Sequence, residues 1–104
     1  MISNFREKVY TILKTVPKGK VVTYGQLAQM AGSPGAARAV GMCMKENPHA
    51  PIVPCHRVVA SDGKLTGYSG KNGVKGKKQM LTEEGVSFIN DKVDLLRSQW
   101  HPKS

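Results

Sequence analysis

The triplet Gly32-Ser33-Pro34 constrains this chain more than any other feature, because it sets two short helices against each other across a tight turn. On its N-terminal side, Thr23-Tyr24-Gly25-Gln26 has the form of a capping box, with Thr23 as the cap and Gln26 able to reach back to it. The helix so begun carries Leu27, Ala28, Met30 and Ala31, and Gly32 is well placed to end it. On the far side Ser33 can cap and Pro34 suits the first helical position, so a second helix is expected from Pro34 to about Glu46. Two helices joined in this way read as a helix-turn-helix.

The second helix is unusual in composition. Gly35, Ala36, Ala37, Ala39 and Gly41 surround one long cation, Arg38. Small side chains let a helix backbone come close to a partner. That partner is another helix of the same chain, packed through Val40, Cys43 and Met44, or it is a narrow nucleic-acid groove into which Arg38 protrudes. Charge bears on the choice: 16 Lys and Arg stand against 7 Asp and Glu, a formal net charge of +9. Such a balance in a small domain without a basic amphipathic helix suits a nucleic acid better than a membrane surface.

Other function classes recede. Two distant cysteines, no CxxC and three histidines suggest neither a disulfide framework nor a zinc site, so no metal is expected and the thiols are read as free in a reducing, cytoplasmic setting. No apolar run reaches the length of a membrane span, and MISNFREKVY lacks the apolar core of a signal peptide. The 104 residues are expected to form one domain, 1–104, acting as a monomer.

The remaining chain supplies the frame. Asn4-Phe5-Arg6-Glu7 has a capping-box pattern ahead of Phe5, Val9, Ile12, Leu13 and Val16, an amphipathic helix ended by Pro17-Lys18-Gly19-Lys20. Val21-Val22 is a short extended piece. Asn47-Pro48 stops the second helix of the pair, and the prolines and valines of Pro51 to Ala60 read as extended backbone. The glycines and five lysines between Lys64 and Lys78 read as a solvated loop without P-loop spacing. A helix is expected from Lys75 to Glu84, with Gly85 closing it, and Val86 to Ser104 carries no secure assignment. The fold class that follows is mostly α with a short extended segment, a winged-helix-like helix-turn-helix domain.

Within the extended segment stands Pro54-Cys55-His56-Arg57-Val58. A free thiol is only a few per cent ionised at neutral pH, and a base or cation nearby makes it a nucleophile. The bland alternative is a small buried hydrophobe beside an incidental histidine. On extended backbone consecutive side chains point to opposite faces, so a water or a bend must link Cys55 and His56. Cys43 reads as core.

Taken together, VVTYGQLAQMAG, SPGAARAVG, Asn47-Pro48, PCHRVV, GKLTGYSG and KKQMLTEEG resemble, in order and spacing from roughly Phe5 to Gly85, the C-terminal domain of the O6-alkylguanine-DNA alkyltransferases. The resemblance implies an irreversible, single-turnover repair of O6-alkylguanine in double-stranded DNA, with no cofactor. Cys55 would accept the alkyl group, His56 would be its base through a water, and Glu84 would orient His56, although Glu83 is its neighbour and either could face the site. Tyr24 would donate a proton to the leaving guanine and turn a phosphate. Arg38 would fill the gap left by the extruded nucleotide, with Ala36, Ala37, Thr23 and Tyr24 against the minor groove. Asn47 would be the hinge, Pro54, Arg57 and Val58 would shape the pocket, and Tyr68 and Ser69 would close over the flipped base.

The usual transferases carry an N-terminal domain that is not seen here, and their loop corresponding to Gly70–Lys77 is slightly shorter. In size and in its closing DKVDLLRSQWHPKS the chain is similar to the alkyltransferase-like proteins. These bind the same lesions with tryptophan or alanine at the cysteine position and pass the site to nucleotide excision repair proteins. That resemblance implies the alternative of a lesion sensor without chemistry.

Overall fold

A computed structural model describes residues 2–45, 54–65 and 73–101, with only the backbone of 2–4. Helix α1 (Ile2–Lys14) opens the chain. It starts earlier than expected, which puts Asn4 inside the helix, so Asn4 is not its cap. The apolar period that predicts the helix is real: Val9 and Leu13 are fully buried. After it the chain turns, Lys20 N–H donating to Pro17 carbonyl at 3.1 Å, with Gly19 at φ +89°. A side chain at Gly19 would start 3.0 Å from the Glu84 carbonyl, so glycine lets this turn lie flat against the end of a later helix.

Strand β1 (Val22–Thr23) leads directly into helix α2 (Tyr24–Met30). The expected capping box is present: Thr23 hydroxyl accepts from Gln26 N–H at 3.0 Å, and Gln26 Oε1 accepts from Thr23 N–H at 3.2 Å. At the other end, Ser33 N–H donates to Ala28 carbonyl and Gly32 N–H to Gln29 carbonyl, the Schellman pattern, with Gly32 at φ +87°. This bonding corrects the expectation for Ser33-Pro34. Ser33 and Pro34 belong to the turn out of α2, and helix α3 begins later, spanning Ala37–Lys45, with Val40 N–H donating to Ala36 carbonyl. The helix-turn-helix stands, with a longer turn than Gly-Ser-Pro.

Pro54 precedes a 3-10 turn, Cys55–Arg57, and strand β2 (Val58–Val59) follows at once. β2 pairs parallel with β1, Val22 opposite Val58 and Thr23 opposite Val59. Alternation along these short strands serves two cores. Val22 and Val58 face a cluster with Val9, Leu13, Leu27, Val40 and Met44, while Val21 and Val59 face a second with Leu65, Leu81, Val86 and Val93. Helix α4 (Gly73–Glu83) packs on the Cys55–Arg57 turn and contributes Leu81 to the second cluster.

The C-terminal stretch, unassigned from sequence, is ordered into a hairpin and a helix. Strands β3 (Phe88–Ile89) and β4 (Lys92–Val93) are antiparallel, and α5 (Leu95–Ser98) is capped by Asp94. The chain then returns to β1: Val21 N–H donates to Ser98 carbonyl at 2.8 Å and Trp100 N–H to Val21 carbonyl at 2.7 Å. Gln26 closes the seam, its amide donating to Trp100 carbonyl and its Oε1 accepting from Gln99. The fold is a mostly helical small domain with short strands, and no helix among the described residues is long and apolar enough to cross a membrane.

Candidate active site

The site is built where the two halves of the domain meet. Cys55 and His56 do not lie on extended backbone, as expected, but on the 3-10 turn, closed by Arg57 N–H to Pro54 carbonyl at 2.9 Å and by Val58 N–H to Cys55 carbonyl. Pro54 holds φ near −81° and feeds the turn. The bend removes the strict alternation of a strand, and both side chains turn inward: Cys55 is 5% exposed and His56 2%. Extended backbone starts only at Val58, which is fully buried in the first core.

His56 Nε2 lies 2.9 Å from Glu84 Oε2. Arg57 grips the same carboxylate with a two-pronged fork, Nε to Oε1 at 2.9 Å and one terminal nitrogen to Oε2 at 2.8 Å, and its other terminal nitrogen donates to Val16 carbonyl at 2.9 Å. Burial pushes the Glu84 carboxyl up, but the hydrogen bonds and charges of Arg57 and His56 outweigh it and hold the group below its ordinary range. Glu84 is therefore an anion and can only accept, so His56 donates from Nε2. That leaves Nδ1, buried and without a hydrogen-bond partner among the described residues, as the free lone pair. Burial, opposed by Glu84 and reinforced by the charges of Arg57 and Lys77, holds His56 below its usual value and keeps the ring neutral at neutral pH. Glu83 points away and is exposed, within reach of Gln79, so of the two neighbours Glu84 faces the site.

One site residue was missed from sequence. Lys77, read as part of a solvated lysine run, is 1% exposed. Its Nζ stands 6.0 Å from the centre of the Tyr24 ring, at the limit of a cation–π contact. Burial lowers its pKa to about 8, partly offset by the electrostatic influence of Cys55. The signal was available: Lys77 and Leu81 on α4 and Glu84 just after it recur at helical spacing, and Leu81 is fully buried.

Thr23 and Tyr24 flank the site from the β1–α2 junction. Thr23 is buried and uses its hydroxyl oxygen in the capping box, which makes it part of the scaffold rather than an outer contact. Tyr24 is half-buried and packs on the first core. On α3, Arg38 and Ala39 are exposed and Ala37 half-buried, as is Ala36 just before it. Among the described residues, nothing lies within 4 Å of where side chains at Gly35 or Gly41 would begin, so no described helix needs these glycines in order to pack. Asn47, Tyr68 and Ser69 lie outside the described residues. Among the described residues no three His, Cys, Asp or Glu side chains gather as metal ligands would.

Comparison with known proteins identifies the family and the fold. Residues 4–86 match the family described as 6-O-methylguanine DNA methyltransferase, DNA binding domain. The methylated-DNA–protein-cysteine methyltransferase of Shigella flexneri is 49% identical over 82% of this chain and 48% of its own length, so the chain spans about half of such relatives. Among solved structures, S. pombe Atl1 bound to damaged DNA containing O6-carboxymethylguanine superposes with a TM-score of 0.86 at 36% identity, covering 96% of this chain and 97% of that one. Mycobacterium tuberculosis OGT bound to DNA gives 0.73 at 49% identity over 77% of this chain and 48% of the other. The likeness to Atl1 thus takes in the C-terminal hairpin and α5, which lie beyond the family match.

Proposed function

The chain belongs to the 6-O-methylguanine DNA methyltransferase DNA-binding-domain family, and on that premise we propose that it repairs O6-alkylguanine by moving the alkyl group, once, to Cys55. The base within a duplex is out of reach, so the nucleotide is extruded, at a cost of a few kcal/mol offset by side chains that fill the stack. His56 Nδ1 takes the thiol proton through a bridging water, and the Lys77 ammonium balances the thiolate left behind. The sulfur attacks the alkyl carbon in line, forming S–C as C–O6 breaks. The departing electron pair goes to the guanine, which takes a proton from the Tyr24 hydroxyl. The thioether is stable, so each molecule acts once.

The observation that carries this reading is the relay behind the thiol: an anionic Glu84 fixes Nε2–H of His56 and leaves Nδ1 free to receive a proton. A protein that only sensed the lesion has no need of it. After incubation with a duplex containing O6-methylguanine, the peptide bearing Cys55 is expected to gain the mass of one methylene, and Cys55→Ala to abolish the gain while still binding. An unmodified peptide despite binding replaces this reading by the second one, a lesion sensor that recruits excision repair. That alternative is favoured by the likeness to Atl1 over nearly the whole chain.

In either case α3 is the helix offered to the minor groove. Arg38→Ala is expected to weaken binding to the lesion duplex about tenfold, on the scale of losing one side chain that fills an unstacked step. If Arg38 fills the stack rather than touching a phosphate, the salt dependence, about −0.9 in log affinity per phosphate contacted, stays unchanged in the variant. Equal affinities for variant and wild type would refute the placement.

A further inference from the structure

A groove of about 290 Å³ opens on the side of the second core, between α4 and the β3–β4 hairpin. Leu65 and Val74 form its floor, and Lys64, Lys75, Lys78 and Lys92 stand around it, with Asp91 among them. Val74 is 44% exposed, a large apolar side chain on a helix that otherwise turns its outer face to water. We propose that this groove docks an acidic, amphipathic peptide segment of a partner protein, one or two apolar side chains seated on Leu65 and Val74 and carboxylates on the lysine rim.

Three observations select this occupant. The first is charge. Four lysines line the groove against one lining carboxylate, Asp91, bound to Lys78 at 2.6 Å; Lys92 also pairs at 3.4 Å with Asp62 outside the lining, so positive charge stays in excess by two. Both pairs are exposed and weak, so incoming carboxylates can replace them at little cost. The second is the floor: an apolar base under a cationic rim is wasted on a phosphate backbone, which offers charge and no apolar surface, but matches a peptide carrying both. The third is size. The volume lies at the lower edge of the roughly 300–1,000 Å³ of small-molecule sites and suits a side chain or two better than a cofactor.

The groove also stands apart from the helix assigned to DNA, since α3 packs in the first core and the groove is floored by Leu65 of the second. α4 links the groove to the chemistry. It turns Lys77 and Leu81 inward and Val74 and Lys75 outward, so an occupant rests on the helix that carries the buried lysine. The inference does not depend on whether Cys55 becomes alkylated.

The test uses the full 15N-labelled chain and a synthetic peptide with two leucines spaced three residues apart among glutamates. Saturable amide shifts centred on Leu65, Val74, Lys75, Lys78 and Lys92 are expected. The variant Lys64→Glu/Lys75→Glu, checked for native amide dispersion, should bind at least tenfold more weakly, and so should a peptide with serines in place of leucines. Absence of saturation, or equal binding of the leucine-free peptide, overturns the proposal in favour of plain charge attraction. Displacement of the peptide by undamaged duplex, with the same amides shifted by DNA alone, overturns it in favour of a nucleic-acid contact.

Discussion

Arg57→Ala is expected to lose about 3 kcal/mol of stability in urea denaturation, the lower end of the range for removing one partner of a buried ion pair, because this pair is only partly buried. The size follows from what the substitution leaves behind. Glu84 is 12% exposed and Arg57 15%, so the carboxylate keeps its burial and loses both prongs of the fork. The Val16 carbonyl loses its donor as well. Arg57→Lys restores the charge but not the planar fork, and is expected to recover only part of the loss. A loss below about 1 kcal/mol would mean that the pair behaves like an exposed one.

The same substitution has a signature in acid. Glu84 is a carboxyl whose folded value is depressed, so its contribution is present above the ordinary 4.5 and disappears as pH falls through the lower folded value. In Arg57→Ala burial still pushes Glu84 up while its strongest partner is gone, so that contribution shrinks and acid unfolding begins at higher pH. His56 acts in the same direction: its folded value lies below 6.5, so stability falls as pH drops beneath 6.5 and the unfolded ring takes up a proton. Because the Arg57 charge also lowers His56, the acid transitions of wild type and Arg57→Ala report the Glu84 and His56 parts together.

How much of this was legible in the sequence depended on the range of the signal. The capping box Thr23-Gln26, the stop at Gly32 and the end of α4 at Gly85 are local devices, and they form as read. Asn4 and Ser33 have the same chemistry but a competing neighbour. α1 begins ahead of Asn4, and Ser33 is taken by the Schellman bond to Ala28. The hairpin was invisible for a different reason. Its strands are two residues each, and its turn is Asn90-Asp91, with φ of 51° and 53°, in place of the Asn-Gly or Asp-Gly that marks such turns. The relay lies between. Cys55, His56 and Glu84 could be named from resemblance, but that Arg57 clamps Glu84 depends on two segments far apart in sequence meeting.

Lys77→Met is expected to make the protein more stable and less active at once. The fall from 10.5 to about 8 corresponds to a preference of roughly 3 kcal/mol against the charged lysine in its buried place. An unbranched apolar side chain of similar length escapes that cost, so at neutral pH the variant should gain up to this amount in urea denaturation. The pH dependence provides the control. Between about 8 and 10.5 the unfolded wild type holds a proton that the folded one has released, so wild-type stability rises with pH through this window. Lys77→Met has no such rise, and the two proteins should approach each other near pH 10, where other titrating groups are common to both. On the alkyl transfer proposed above, reaction at Cys55 should slow by about one to two orders of magnitude, the scale of losing one charged partner at a reacting group. A buried lysine in a small domain is thus held at the expense of stability, and on the proposed reading its use is to balance the charge at Cys55. A variant neither more stable nor slower would sever Lys77 from Cys55.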